Sequence, residues 1–369
     1  MPENKQVNIL IASGASAGHL YPALALAQAL RKNNPYANVA FVSSKRGGLE
    51  ISVRQAGYKL FLISVVSFSF RFFGFLPAIY GFIKSFFESL FIIEKFRPGI
   101  VVGFGSYVSF PVVLGAAFLK KRTVIHEQNV SLGLANRILS LFADKVALSF
   151  KETQVRVSLK DKFSFTGNPV RTQLIVQKKE DTREFFGLSD KFTILVLGGS
   201  QGSHRINSVF KETAALLERE KDFQFIHITG KTDYPSLKDY YSRTITKTKY
   251  CIFDFLSSMD LAYSLADLVI CRAGAGTIAE LAYFGKASIS IPYPLARGHQ
   301  LENALTLMRQ GAAVVVEEKS LYSGLLYKYI IDIMEDDARR EGLGVNIQKF
   351  SSACAADNLA QLVLSECKN

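Results

Sequence analysis

Tryptophan is missing from this 369-residue chain, and cysteine and methionine appear only four times each. Cys251, Cys271, Cys354 and Cys367 make neither a short metal-ligand spacing nor a disulfide framework, so a reducing compartment is expected. Acidic residues are scarce in one half only. Residues 1–166 carry 20 Lys+Arg against 8 Asp+Glu, while residues 167–369 carry 24 of each, so the first half holds the whole net charge of +12. Such asymmetry suits a surface meeting nucleic acid or acidic lipid, or serves solubility. No zinc finger, helix-turn-helix or basic aromatic single-strand platform accompanies it, and nucleic acid is not an expected partner. The polar N-terminus runs straight into Val7–Ala12 without the basic region and cleavage site of a secretory signal, so export is not expected. There is also no uninterrupted apolar run of 18 residues. The longest apolar region, Phe61–Phe96, is broken by Arg71, Lys84, Glu88, Glu94 and Lys95 and should not span a bilayer.

About half the residues are apolar, enough for two substantial cores. Val7–Ala12 is a short apolar run that ends at Ser13-Gly14 and precedes a helix-like stretch over Tyr21–Arg31. The same grammar recurs at Val39–Val42, Gly99–Gly103, Thr123–His126 and Lys145–Leu148, predicting parallel strands in an open α/β sheet. After Gly167-Asn168-Pro169-Val170-Arg171 a second series begins, with strands expected at Thr193–Leu197, Phe223–Ile228, Thr248–Ile252, Leu268–Cys271, Ala287–Ser290 and Ala313–Val316. Open sheets bind ligands beyond the C-terminal ends of their strands, so two such domains facing each other would bring both first turns to one cleft. A last helix is expected over Asn346–Glu366, returning to the first domain.

Gly-rich strand-to-helix turns expose backbone N–H groups to an anion at the positive end of a helix. Gly14-Ala15-Ser16-Ala17-Gly18-His19 is such a turn, yet it matches neither GxGxxG nor a P-loop ending in GK[ST], which disfavours NAD and ATP. Gly198-Gly199-Ser200-Gln201-Gly202 is either a tight turn or an anion nest. Cys271–Glu280 repeats the pattern, and Glu280 suits either a ribose diol or a helix start. Gln300 and Asn303 open a helix after Ile291–Pro294, where their amides would sort sugar hydroxyls or satisfy the helix start.

These landmarks, with Gly103–Ser109, His126-Glu127-Gln128-Asn129 and Gly167–Arg171, make nearly the whole chain resemble glycosyltransferase family 28, specifically the bacterial peptidoglycan N-acetylglucosaminyltransferases that convert lipid I to lipid II. The resemblance implies a GT-B architecture of two Rossmann-like α/β domains and inversion at the anomeric carbon. It implies an acceptor- and membrane-binding domain over 1–166 completed by a C-terminal helix over 347–369, a hinge over 167–171, and a UDP-GlcNAc domain over 172–346. Carried over residue by residue, uracil falls to backbone near Leu256, ribose to Glu280, diphosphate to Ser200, Gln201 and Thr277, and N-acetylglucosamine to Gln300 and Asn303, with Arg171 near the donor phosphates. Further substrate-binding positions are Ser16, Ala17, Gly18, Tyr107, His126, Asn129, Gly202, Arg272, Gly274, Ala275 and Gly276. Ala15 and Ala17 stand where the family usually has glycine, implying a differently shaped acceptor loop. The partners implied are UDP-GlcNAc, undecaprenyl-linked lipid I, anionic membrane lipid and other cell-wall synthesis proteins, at the cytoplasmic face of the inner membrane.

The transfer needs a base for the acceptor hydroxyl and stabilisation of the leaving diphosphate. His19 suits the base role by position, or else contacts the acceptor phosphate. Glu127 is next, with His126 beside it. No Asp-x-Asp metal signature occurs, so no cofactor is expected, and backbone N–H groups and Arg171 would neutralise UDP. A UDP-GlcNAc 2-epimerase or a non-catalytic UDP-sugar-binding protein is the alternative. Within Ala78–Phe91, Ile79, Phe82, Ile83, Phe86 and Leu90 recur at helical spacing, giving either a lipid-docking face or a layer of core under the sheet.

Overall fold

The computed structural model describes residues 7–14, 16–45, 50–65, 75–171, 174–199, 201–295, 298–352 and 354–367. The chain divides into two compact units, Met1–Thr172 with Ser352–Asn369, and Gln173–Ser351. The first contains strands β1 (Val7–Ala12), β2 (Ala37–Ser44), β3 (Lys59–Ile63), β4 (Ile100–Gly103), β5 (Arg122–Glu127), β6 (Lys145–Leu148) and β7 (Phe163–Phe165). Its helices are α1 (Ala17–Asn33), α2 (Glu50–Gln55), α3 (Phe75–Phe96), α4 (Ser106–Phe118) and α5 (Leu134–Leu139). All its strand pairs are parallel, in the order β3-β2-β1-β4-β5-β6-β7.

Successive side chains on a strand face opposite sides, and β1 uses both. Ile9 and Ile11 enter a core with Leu20, Leu26 and Leu30 of α1, whereas Leu10 and Ala12 enter another with Ile93 of α3 and Val112 and Val113 of α4. The first core is completed from the far end of the sequence by Leu359, Ala360 and Val363 of α14 (Ala355–Glu366).

The second unit holds helices α6 (Lys179–Phe186), α7 (His204–Glu220), α8 (Tyr234–Thr244), α9 (Met259–Leu265), α10 (Ala275–Phe284), α11 (His299–Arg309), α12 (Ser323–Met334) and α13 (Asp337–Gln348). Its strands β8 (Phe192–Leu197), β9 (Phe223–Ile228), β10 (Tyr250–Phe253), β11 (Leu268–Cys271), β12 (Ala287–Ser290) and β13 (Val314–Val315) are parallel in the order β10-β9-β8-β11-β12-β13. Each unit is therefore a doubly wound α/β sheet whose strand order reverses at the first strand, between β1 and β4 and between β8 and β11. Those reversals are where such sheets bind ligands.

Three expectations need correction. The helix expected over Asn346–Glu366 is two: α13 ends at Gln348 and α14 starts at Ala355, with Gly167 packed against Ser352 in the intervening turn. The strands β3 and β7 were not expected; both lie at a sheet edge, and β7 is only three residues long. The face expected on α3 is also rotated. Phe82 packs on Phe110, Phe86 on Phe118, and Leu90 against Gly115, so three of the five residues assigned to one outward face turn to α4. The exposed face consists of Ile79, Tyr80, Ile83, Phe87 and Phe91.

Candidate active site

At the first reversal the β1 and β4 corners touch. A Cβ on Gly14 would fall 2.5 Å from the Ser106 hydroxyl oxygen, so only glycine lets the corners close this far. Gly105 and Ser106 have φ of 74° and 68°. For Ser106 that left-handed conformation costs about 1–3 kcal/mol, strain of a kind that collects at functional sites. Helix α1 starts here without an acidic residue in its first turn, and its N-cap, Ser16, spends its hydroxyl on His19 Nδ1 at 2.6 Å rather than on the helix. Gly18 faces open space, and Ala17 and Tyr107 are partly or well exposed. The corner thus offers uncompensated N–H groups at a positive helix end beside an imidazole. Desolvation lowers the His19 pKa to about 4 even though the residue is only partly buried, leaving a neutral imidazole at physiological pH.

His126 and Glu127, adjacent on β5, point to opposite sides. His126 is fully buried: Nε2 meets the Gly167 carbonyl at 3.1 Å, and Gln128 donates to Nδ1 at 3.2 Å. Burial lowers its pKa to about 4. Glu127, 2% exposed, accepts from the Asn129 and Gly133 backbone N–H groups, each at 2.9 Å, from Asn136 Nδ2 at 2.9 Å and from Asn129 Nδ2 at 3.2 Å. These contacts already engage both oxygens of Glu127, the second candidate base. Glu127 ties the loop over 128–133 to the start of α5, and His126 ties β5 to the chain at Gly167. Arg171 falls in the first unit, its guanidinium 4.9 Å from the centre of the Tyr21 ring.

At the second reversal the two ends of the turn after β8, Gly198 and Gly202, are packed without clearance, whereas Gly199 borders open space. A Cβ on Gly198 would come 2.2 Å from the Ser203 nitrogen, and one on Gly202, whose φ is 80°, would come 2.0 Å from the Thr229 carbonyl oxygen. Gln201 is exposed, and Ser200 lies outside the described residues. Arg272 supports this turn from below. Its guanidinium donates to Ser203 Oγ at 2.7 Å and to the Ile291 carbonyl at 3.2 Å, pairs with Glu318, and lies 5.2 Å from the Tyr293 ring centre. Being 8% exposed, it organises the turn rather than reaching outward.

Helix α10 starts at Ala275 after Gly274, with no acidic first-turn residue and no side-chain cap, and Gly276 borders open space. Thr277 shares that turn. One turn later the Tyr263 hydroxyl donates to Glu280 at 3.0 Å, fixing the carboxylate's orientation. Gln300 accepts from the Tyr293 N–H at 2.9 Å; Asn303 is buried and donates to the Ala273 carbonyl at 3.2 Å. Both tie α11 to the loops around the site. Leu256 is buried on the connection between β10 and α9. Asn136 and Tyr263 escaped the sequence reading, and Ser106 was read only as part of the Gly103–Ser109 landmark. Each acts through a contact distant in sequence, and a lone polar residue on a helix or turn carries no spacing signal.

The family model for the glycosyltransferase family 28 N-terminal domain matches residues 9–148, and that for the C-terminal domain matches residues 193–359. A UDP-N-acetylglucosamine–N-acetylmuramyl-(pentapeptide) pyrophosphoryl-undecaprenol N-acetylglucosamine transferase of Thermodesulfovibrio yellowstonii is 37% identical over 97% of this chain and 98% of its own length. One of the same name from Acetivibrio thermocellus is 32% identical over 98% and 99%. The crystal structure of Acinetobacter baumannii MurG superposes with a TM-score of 0.79 at 25% identity, covering 97% of this chain and 99% of that one. A putative UDP-N-acetylglucosamine 2-epimerase from Listeria monocytogenes shares the fold, with a TM-score of 0.72 at 13% identity. With both family models matched and relatives aligned along nearly their full lengths, this chain belongs to glycosyltransferase family 28 and has the GT-B fold.

Proposed function

We propose that the chain transfers N-acetylglucosamine, with inversion, from UDP-GlcNAc to undecaprenyl-pyrophosphoryl-MurNAc-pentapeptide, lipid I, forming lipid II. The observation that carries this is the end-to-end alignment, at 37% identity, with a relative bearing that activity in its name. The residues supply matching chemistry. Attack by the acceptor hydroxyl on the anomeric carbon breaks the bond to UDP, so a proton must leave the hydroxyl while charge grows on the diphosphate. His19 is our choice of proton acceptor. Burial keeps it neutral at physiological pH, and the acceptor's own diphosphate, arriving at the α1 N-terminus, would raise its proton affinity through opposite charge. Gly199 and Gln201 in the turn after β8, where the Gly202 N–H is taken by the Gly199 carbonyl at 3.0 Å, and the start of α10 would offer N–H groups to the donor diphosphate, and Glu280 would offer a carboxylate to the ribose diol.

We further propose that the first unit rests on anionic lipid at the cytoplasmic membrane face, through the exposed aromatic face of α3. Among the described residues no helix is long and apolar enough to cross a membrane. The amphipathic alternative is supported by Tyr80, Phe87 and Phe91, each at least 64% exposed; Lys84 and Lys95 of α3 are balanced by Glu88 and Glu94, so the attraction to anionic lipid would come from the basic excess of the first half as a whole. The deciding assay is transfer of labelled N-acetylglucosamine from UDP-GlcNAc to lipid I, with UDP-glucose and UDP-N-acetylgalactosamine as controls. Labelled lipid II is expected from UDP-GlcNAc alone. Formation of UDP-N-acetylmannosamine without lipid II would make the chain an epimerase.

A further inference from the structure

Beneath the turn over 198–202, the second unit buries a continuous polar chain that the transfer chemistry does not use. Asn207 of α7 is 1% exposed and donates through Nδ2 to the Thr229 carbonyl and to Asp233, both at 2.8 Å. Those two acceptors fix the amide's orientation, so its oxygen faces His227 Nε2 at 3.0 Å and that nitrogen must carry the proton. His227 Nδ1 is then an acceptor, and the Tyr241 hydroxyl donates to it at 2.9 Å. Every hydrogen in the chain therefore has one possible direction, from Tyr241 through His227 to Asn207 and on to the Thr229 carbonyl. That carbonyl is the surface on which Gly202 lies, too close for any Cβ, while a Cβ on Gly230 would come 2.3 Å from the Gln201 carbonyl oxygen. The two backbone segments fit each other without spare room.

We infer that Asn207 is a positioning residue for donor binding: held by His227 and Tyr241, it fixes the Thr229–Gly230 peptide and so sets the height and tilt of the turn that meets the donor diphosphate. The inference rests on the proposed role of that turn. A residue that merely stabilised the unit would lower the amount of folded enzyme and leave both Michaelis constants alone. A positioning residue changes the response to donor and not to acceptor, because preorganised N–H groups lose affinity when displaced.

The test compares Asn207→Ala, Tyr241→Phe and Gly202→Ala by UDP calorimetry and by separate KM values for UDP-GlcNAc and lipid I. For Asn207→Ala a rise of about tenfold is expected in the UDP dissociation constant and the donor KM, with the acceptor KM unchanged. Tyr241→Phe keeps the aromatic volume, removes only the far hydroxyl, and should raise the donor KM about threefold. If Asn207→Ala does not fold, Tyr241→Phe decides: the threefold donor-selective rise supports the inference, and an unchanged donor KM overturns it. Gly202→Ala separates the role of Asn207 from the role of the turn. Weakened UDP binding in Gly202→Ala, with normal binding in the other two, would remove the role of Asn207 alone. Normal UDP binding in all three would remove the role of the turn as well.

Discussion

His19 and Glu127 are both polar side chains at the C-terminal edge of one sheet, yet their surroundings set them apart. Glu127 is enclosed by four N–H donors, whereas His19 has one neighbour on Nδ1 and sits where an anion can change its protonation. His19→Ala should therefore lower kcat by roughly 10²–10⁴-fold while UDP affinity, measured by calorimetry, stays near wild type. Restoration of normal turnover by saturating acceptor would identify His19 as an acceptor-binding residue instead. Glu280 has a different neighbour and a different expected consequence. Tyr263 holds its carboxylate in place, and Glu280→Ala should weaken UDP binding by about 1.5–3 kcal/mol through loss of charge-assisted contacts to the ribose. A folded variant with unchanged UDP affinity would remove Glu280 from the donor site.

Helix α3 shows why the outward face of an element is harder to read than the element itself. Its four charged residues, Lys84, Glu88, Glu94 and Lys95, leave a wide apolar surface, so spacing alone does not say which apolar residues face out, and packing decides. Gly115 of α4 leaves room for Leu90 and Phe86 to approach, and Phe110 and Phe118 receive Phe82 and Phe86. Phe87 and Phe91 are left outside. The informative variant is thus Phe87→Ser/Phe91→Ser, which should retain its thermal stability but lose most co-sedimentation with anionic vesicles. High salt should weaken wild-type binding further, because the basic residues act through screened attraction. Equal sedimentation of variant and wild type on every vesicle composition would reject this face as the docking surface. Phe82→Ser/Phe86→Ser would instead cut into the packing of α3 on α4 and confound lipid binding with stability.

For the molecule as a whole, buried histidines link stability to pH. Burial lowers the pKa of His126 to about 4 and of His227 to about 3, one in each unit, against roughly 6.5 when unfolded. The unfolded chain therefore binds more protons than the folded one throughout that interval. Stability should be full above the unfolded value and fall as pH drops from about 6.5 towards 4. Both units should show a lower urea midpoint at about pH 5 than at about pH 7.5, a range that remains above the ordinary carboxylate pKa values. Coincident midpoints at the two pH values would contradict the burial of these neutral rings.

The sequence by itself determined the doubly wound plan, because strands buried on both faces must be short apolar runs and their Gly-rich ends must turn tightly. Ile9–Ala12 with Gly14, and Ile194–Leu197 with Gly198, carry that signal without help from distant residues. Resemblance over the ordered landmarks supplied the family. Only the tertiary structure decided which polar residues face outward. Arg272 and Asn303 look like ligand-binding groups in a motif, but the fold turns them inward to hold loops, while the buried chain from Tyr241 to Asn207 has no motif at all. A side chain's direction depends on which partners the folded chain brings beside it, and those partners lie as far apart as Arg272 and Ser203, or Leu359 and the α1 face it covers. Such contacts leave no local spacing, so they exist only once the chain has folded.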